Sequence, residues 1–218
     1  MKTQTIYFFL LLFFFSNNTF LQNFSNNTFS QNLVPNHSFE ELRNLPVKRN
    51  RNNAYLFEPR TGFIPYQRNL NYWFAGSQTT PDLRIKSIEG LAKCKKRYPD
   101  CDQIRTGGTC IGIITYLKNR ETESFREYAQ VKLKKPLRPN VKTYVELWVA
   151  KERIAKLVSN NIGCYFTEKK IFAPIKEVIE ITPQVNFDEV INKEEHGWVK
   201  LESTFLPDKP YHLSLIHI

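Results

Sequence analysis

The stretch SFREYAQVKLKKPLRPNVKTYVELWVAK, residues 124–151, decides how the chain is read. Apolar and polar residues alternate in both of its halves. Ala129, Val131 and Leu133 alternate with Tyr128, Gln130 and Lys132, and Val145, Leu147 and Val149 alternate with Tyr144, Glu146 and Trp148. Strict period-2 alternation sends one set to a core face and the other towards solvent or a ligand. Between the halves, KKPLRPN at 134–140 holds Pro136 and Pro139, which cannot donate to a ladder. Asn140 after them tolerates turn geometry. The stretch predicts a half-buried antiparallel hairpin and an all-β class.

Further strands are expected on either side. CIGIITYL at 110–117 reads as a strand apolar on both faces, with Gly112 marking a bulge or a close backbone approach. IGCYF at 162–166, VIEI at 178–181 and PQVNF at 183–187 read as short strands. In WVKLESTF at 198–205 the residues Val199, Leu201 and Phe205 share one face. Residues 151–161 alone carry helical spacing, through Ile154, Leu157 and Val158. Residues 43–71 are polar and broken by Pro46, Pro59 and Pro65, and 75–109 read as a solvated loop with Gly107 and Gly108 entering a strand. Short strands separated by turn signals predict an antiparallel β-sandwich.

Composition narrows the setting. The 218 residues include 14% aromatics and one Met, which favours sheets over helices. A formal charge of +10 would ordinarily point to nucleic acid. The chain begins, however, with Lys2 and an apolar run at 6–15, too short for a membrane span of about 20 residues and suited to a signal peptide. An exported basic protein meets anionic glycans or wall polymers, so nucleic acid is not the expected partner and the chain is not expected to span a membrane. FSNNTFLQN at 15–23 repeats as FSNNTFSQN at 24–32, a local duplication. The domain plan is a leader over 1–30, one sandwich over 31–212, and a terminal 213–218 outside it.

Cys94, Cys101, Cys110 and Cys164 contain no CxxC pair, and the four histidines are scattered, so zinc is not expected. Cys94 and Cys101 bracket a polar loop and can staple it after export. Cys110 and Cys164 lie in apolar strands, as a second bridge or as buried thiols.

No nucleophile elbow, HExxH, phosphate-cradling loop or Cys/His pair is present, so the chain is not expected to be an enzyme. A glycan-binding module instead needs an aromatic platform and a few polar groups. Tyr128, Gln130, Tyr144, Glu146 and Trp148 supply these types and share one concave surface if their strands are neighbours. Tyr72 and Trp73, with Tyr66 and Phe74, form a second candidate; the plainer reading packs Trp73 into the end of the core. Trp148 and Tyr144 likewise have a covered alternative. Lys93–Arg97 and Lys132–Lys135 would add a salt-sensitive component or stand as solvated faces.

Several of these segments together resemble a known family. REYAQVKLKKPL (126–137), YVELWV (144–149) and NNIGCYF (160–166) are similar to the N-terminal β-sandwich module of secreted OmpA-family envelope proteins of Bacteroidetes-type bacteria. NLVPNHSFE (32–40), Trp73 with TPD (80–82), GWVK (197–200) and Thr204-Phe205 extend the match in order. That module is similar to galactose-binding-like, carbohydrate-binding jelly rolls. The resemblance implies a jelly-roll sandwich in the periplasm, on the outer membrane surface or outside the cell. Glycan, a surface polymer or an envelope protein would be its partner. It implies cleavage after Ser30 and a short turn or helix before residue 162. Phe39 becomes a core anchor, and Glu40 falls near where such modules hold a structural calcium; Glu40 alternatively caps or pairs locally. The end departs from the family's last strand after Leu215. LSLIHI at 213–218 resembles a translated sequencing adapter, so a peptidoglycan-binding OmpA-like domain is expected to follow in the native protein.

Overall fold

The computed structural model describes residues 4–8, 31–43, 48–49, 54–55, 64–65, 70–79, 81–85, 104–105, 107–116, 125–151, 155, 158–174, 177–191 and 197–217. Within them the strands are β1 (Gln4–Phe8), β2 (Lys48–Arg49), β3 (Ala54–Tyr55), β4 (Ile64–Pro65), β5 (Trp73–Ala75), β6 (Asp82–Ile85) and β7 (Thr109–Gly112). They continue as β8 (Ala129–Lys132), β9 (Thr143–Val149), β10 (Ile162–Thr167), β11 (Val185–Phe187), β12 (Val199–Phe205) and β13 (Leu213–His217). A five-stranded antiparallel sheet runs β11-β10-β13-β8-β5. A second sheet runs β1-β9-β12, with β12 antiparallel and β1 parallel to β9. A third runs β4-β6-β7, and β2 pairs with β3 alone.

The predicted hairpin does not form. β8 belongs to the five-stranded sheet and β9 to the second sheet, so the two halves of the 124–151 stretch lie in different sheets. The connection between them explains why. Two-stranded hairpins favour loops of roughly two to five residues, whereas this one runs from 133 to 142 and contains two prolines. It arches from one sheet to the other beside a second arch, 206–212, that returns from β12 to β13. Leu133, Leu137 and Asn140 donate backbone N–H groups to the carbonyls of His212, Tyr211 and Pro207. Asn140 takes the left-handed conformation expected of a turn, with φ 58°. Leu137 and Tyr211 are buried where the arches meet the core.

Inward side chains of both sheets form one core. Ala129, Val131, Cys164, Phe166 and Ile216 from the five-stranded sheet meet Val145, Leu147, Val149 and Leu201 from β9 and β12. The rings of Phe166 and Phe205 stack across the layers at 4.7 Å between centroids. The face assignments of 129–133, 145–149 and 199–205 therefore hold, and the architecture is all-β and sandwich-like. Leu83 of β6 and Ile111 of β7 join the same core.

Other local expectations are corrected. β6 is a strand inside the region read as loop; its pairing with β7 was hidden by its short length, Asp82–Ile85. β7 ends at Gly112, and Ile114 and Tyr116 beyond it are exposed. No helix occurs among the described residues of 151–161; Ser159 instead bridges to Ile191. Residues 178–181 form no strand and lie over β8, while β11 occupies part of 183–187 as expected. Gln4–Phe8, inside the predicted leader, pairs with β9 from Thr143 to Leu147. Leu213–His217, set outside the domain by its sequence, is β13 and lies hydrogen-bonded between β10 and β8. Cys110 and Cys164 are buried in separate sheets and are not bridged to each other. Burial pushes the Cys164 thiol up to about 12. Cys94, Cys101 and the 93–97 basic run lie outside the described residues.

Candidate functional site

The sequence-derived site residues divide among three places. Tyr128 and Gln130, from β8 and its approach, are wholly buried on the outer side of the five-stranded sheet. Residues 171–174 and 177–181 lie over them. The Gln130 amide accepts the Ile171 N–H at 3.2 Å and donates to the Ile171 carbonyl, and the Tyr128 hydroxyl accepts the Ile179 N–H at 3.1 Å. Tyr128, Ile179 and Leu215 form a small separate apolar cluster there. Gly76 permits this closeness: a Cβ on it would lie 2.5 Å from Leu215 Cδ1 and 3.0 Å from Tyr128 Cβ. These two side chains are structural, closed to a ligand.

Trp73 is equally closed. It is 2% exposed, its ring meets Phe39 at 4.9 Å, and its indole N–H donates to the Asn36 carbonyl at 3.0 Å. The Asn36 amide in turn ties Glu41 and Asn71 together. Tyr72 beside it is 51% exposed and held at φ 71°, a left-handed conformation that an aromatic residue adopts only under constraint. Phe39 is the core anchor the resemblance implied, also left-handed at φ 64°. Glu40 Oε1 accepts the N–H groups of Gly108 and Thr109, each at 3.0 Å. These bonds make Glu40 a local cap on the Gly108–Thr109 backbone, the alternative reading of this residue. Among the described residues no group of three His, Cys, Asp or Glu is placed to hold a metal ion.

What remains is the outer face of β9 and β12. Alternation puts Tyr144, Glu146 and Trp148 on one side of β9, and the antiparallel register sets Thr204, Glu202 and Lys200 opposite them. Directly opposed like charges are unfavourable in a sheet, yet Glu146 and Glu202 face each other here. Neighbouring donors offset the repulsion. Lys200 Nζ lies 2.7 Å from Glu202 Oε2 and 3.5 Å from Glu146 Oε2. The Tyr144 hydroxyl contacts the same two oxygens, at 2.8 Å for Glu146 and closely for Glu202. A phenol carries one proton and donates along one of these directions at a time, so Lys200 supplies the other donors. Glu146 Oε1 accepts the Trp148 indole N–H at 2.9 Å, and the Arg105 guanidinium lies 3.5 Å over the Trp148 ring.

The electrostatics follow this geometry. Hydrogen bonds from Lys200 and then Tyr144 hold the Glu202 carboxyl below its ordinary range, and the bond to Glu202 raises the Lys200 ammonium. Burial, reinforced by both carboxylates, raises the Tyr144 phenol, which therefore stays protonated. Burial lowers Arg105, opposed by Glu146; an arginine stays charged in proteins. Among the described residues, two carboxylates and two cations balance on a partly exposed aromatic surface. Glu146 is 7% exposed, while Tyr144 and Trp148 are half-buried.

Sequence reading missed Lys200, Glu202 and Arg105. The first two carried a signal, since alternation in 199–205 already places them opposite Val199 and Leu201; only the β9–β12 register was lacking. Arg105 carried none. Its position depends on Ile104 burying itself with Cys110 against Trp198. The basic residues Lys132, Lys134 and Lys135 are exposed, with Leu133 buried among them. Compared with known proteins, the chain matches no family model, no curated protein and no solved structure.

Proposed function

We propose that the chain is an exported, non-catalytic β-sandwich module of the bacterial cell envelope that binds glycan on the outer face of β9 and β12. The observation carrying this reading is the half-buried Trp148 and Tyr144 beside the Glu146–Glu202 pair. Aromatic faces stack on the apolar faces of sugar rings, and a few fixed polar groups orient hydroxyls. The family resemblance supports the envelope setting, and the apolar run at 6–15 supports export. Anionic surface polymers fit this face less well, because its charges balance; they suit Lys132, Lys134 and Lys135. One observation favours a structural or adhesive module placed before an OmpA-like domain: Trp73, the other proposed platform, is entirely packed.

The test is a glycan and wall-polymer array probed with the full chain, with Trp148→Ala and a Lys132/Lys134/Lys135→Ala variant alongside. Salt-tolerant binding lost in folded Trp148→Ala establishes the β9–β12 site. Binding that vanishes in moderate salt and depends only on the lysines overturns it, because such binding is charge accumulation. No binding at all leaves the structural module as the reading.

A further inference from the structure

Arg105 occupies the place on Trp148 that a ligand would take. The carbon at the centre of its guanidinium lies 3.5 Å from the ring centroid, within the range in which a cation is drawn to an indole face. Ile104, buried with Cys110 and Trp198, fixes the chain just before it. Beneath and beside the cation, Trp148 donates to Glu146, and Glu146 shares Tyr144 and Lys200 with Glu202.

A charge count then defines what the surface recognises. With Arg105 in place, Glu146 and Glu202 balance Arg105 and Lys200. With Arg105 displaced, the described residues of this face leave two carboxylates against one ammonium, a net charge of −1 among them, beside an open aromatic platform. Such a surface attracts a second cation and discriminates against an anion. A neutral sugar ring would stack on Trp148 but leave that charge without its counterpart.

We infer that the Trp148–Tyr144–Glu146–Glu202 face is a cation-recognition subsite, occupied in this structure by Arg105 of the same chain, and that its ligand is a glycan bearing a protonated amine. This inference rests on the glycan reading above and narrows it to amino sugars with a free ammonium group. Arg105 is then an internal competitor. It sets the affinity threshold a ligand must exceed, and removing it raises apparent affinity by the reciprocal of the fraction of time the ring is free.

The experiment measures binding of two oligosaccharides to the full chain by calorimetry: a β-1,4-linked glucosamine hexamer and its fully N-acetylated, neutral counterpart. Wild type, Arg105→Ala, Glu202→Gln and Trp148→Ala are compared, with the thermal transition of each confirming the fold. The expected result is preference for the amine-bearing hexamer and about threefold to thirtyfold tighter binding in Arg105→Ala, the range set by displacing one stacked cation. Glu202→Gln weakens the amine-bearing hexamer by a larger factor than the neutral one, so the preference between them shrinks. Weaker binding of the glucosamine hexamer in Arg105→Ala overturns the inference, because Arg105 would then be part of the site. Equal binding of both hexamers, dependent on Trp148, overturns the cation preference while leaving the glycan reading standing. Absence of binding to either hexamer in every variant, with neutral glycans also silent on the array, removes both.

Discussion

The outer sides of β8 and β9 begin from the same alternating pattern and end in opposite states. On β8 and its approach, Gln130 and Tyr128 are covered by residues 171–174 and 177–181, and each makes a hydrogen bond to the backbone lying over it. On β9, Tyr144 and Trp148 remain partly open, and their polar atoms bond to side chains of the same surface. Alternation states which residues leave the core. What happens to them depends on whether another segment arrives with backbone groups that need partners, since a buried N–H left unpaired is costly. Ile171 and Ile179 bring such groups to β8 and its approach, and Gln130 and Tyr128 satisfy them.

The widest test of this contrast compares the two tryptophans once offered as platforms. Trp73→Ala removes a packed ring and an indole bond to Asn36, and large aromatic truncations in a core cost about 3–5 kcal/mol. Trp148→Ala removes a half-buried ring from an outer face and is expected to cost about 1 kcal/mol or less. Denaturant unfolding of both variants measures the difference. Equal losses would mean that β9's outer face is as much a core as the surroundings of Trp73.

A finer test compares the two tyrosines. Tyr128→Phe deletes the oxygen that accepts the Ile179 N–H in a buried setting, leaving a donor unpaired at a cost of about 1–3 kcal/mol. Tyr144→Phe removes a hydroxyl that Lys200 and nearby water can replace, so a loss under about 1 kcal/mol is expected. Hydrogen exchange at Ile179 sharpens the comparison: its amide should lose protection in Tyr128→Phe and keep it in Tyr144→Phe.

Much of the architecture was readable from residue order, and the largest failure has a physical cause. The core faces of 129–133, 145–149 and 199–205 follow from period 2, because a slip by one residue would turn every apolar side chain outward. Pairing partners do not follow from period 2, and the missed hairpin was an error of partner, whereas β6, the end of β7 and residues 178–181 were errors of an element's existence or extent. The prolines at 136 and 139 signalled a break, but a break can return a strand to its own sheet or carry it to the facing one. Leu137, apolar in the middle of a polar connection, was the one residue that marked an arch filling the core. The site was half readable for the same reason: Tyr144, Glu146 and Trp148 belong to one strand, whereas Lys200, Glu202 and Arg105 depend on tertiary neighbours.

Ser214 tests the inward side of the five-stranded sheet, where no covering segment brings partners. It lies in β13 opposite Phe166 and Val131, is wholly buried, and its hydroxyl has no hydrogen-bond partner. A buried polar group without a partner carries a desolvation penalty. Ser214→Ala removes the oxygen and leaves a void too small to matter, so a gain of about 1 kcal/mol is expected. A thermal shift upward of a few degrees would confirm it; destabilisation would mean that Ser214 has a partner in solution and that the core is wetter than its lining.

The smallest effect concerns the open face and its charges. Glu202 has its carboxyl lowered by Lys200 and Tyr144, so its contribution to stability is present above the unfolded carboxyl range and disappears as pH falls through the folded value. Lys200 is raised, so its contribution is present below the unfolded lysine range and is lost only as pH climbs through the higher folded value. The pair therefore contributes across neutral pH and fails first on the acid side. Both side chains are more than a third exposed, at 38% for Lys200 and 52% for Glu202, so solvent screening limits the effect to about 0.2–1 kcal/mol. Glu202→Gln should flatten the acid limb of the stability curve by that amount and leave the alkaline limb to Lys200 and Glu146. An acid limb unchanged in Glu202→Gln would mean that the charges on this face are spent on something other than the fold, and a ligand is the natural claimant.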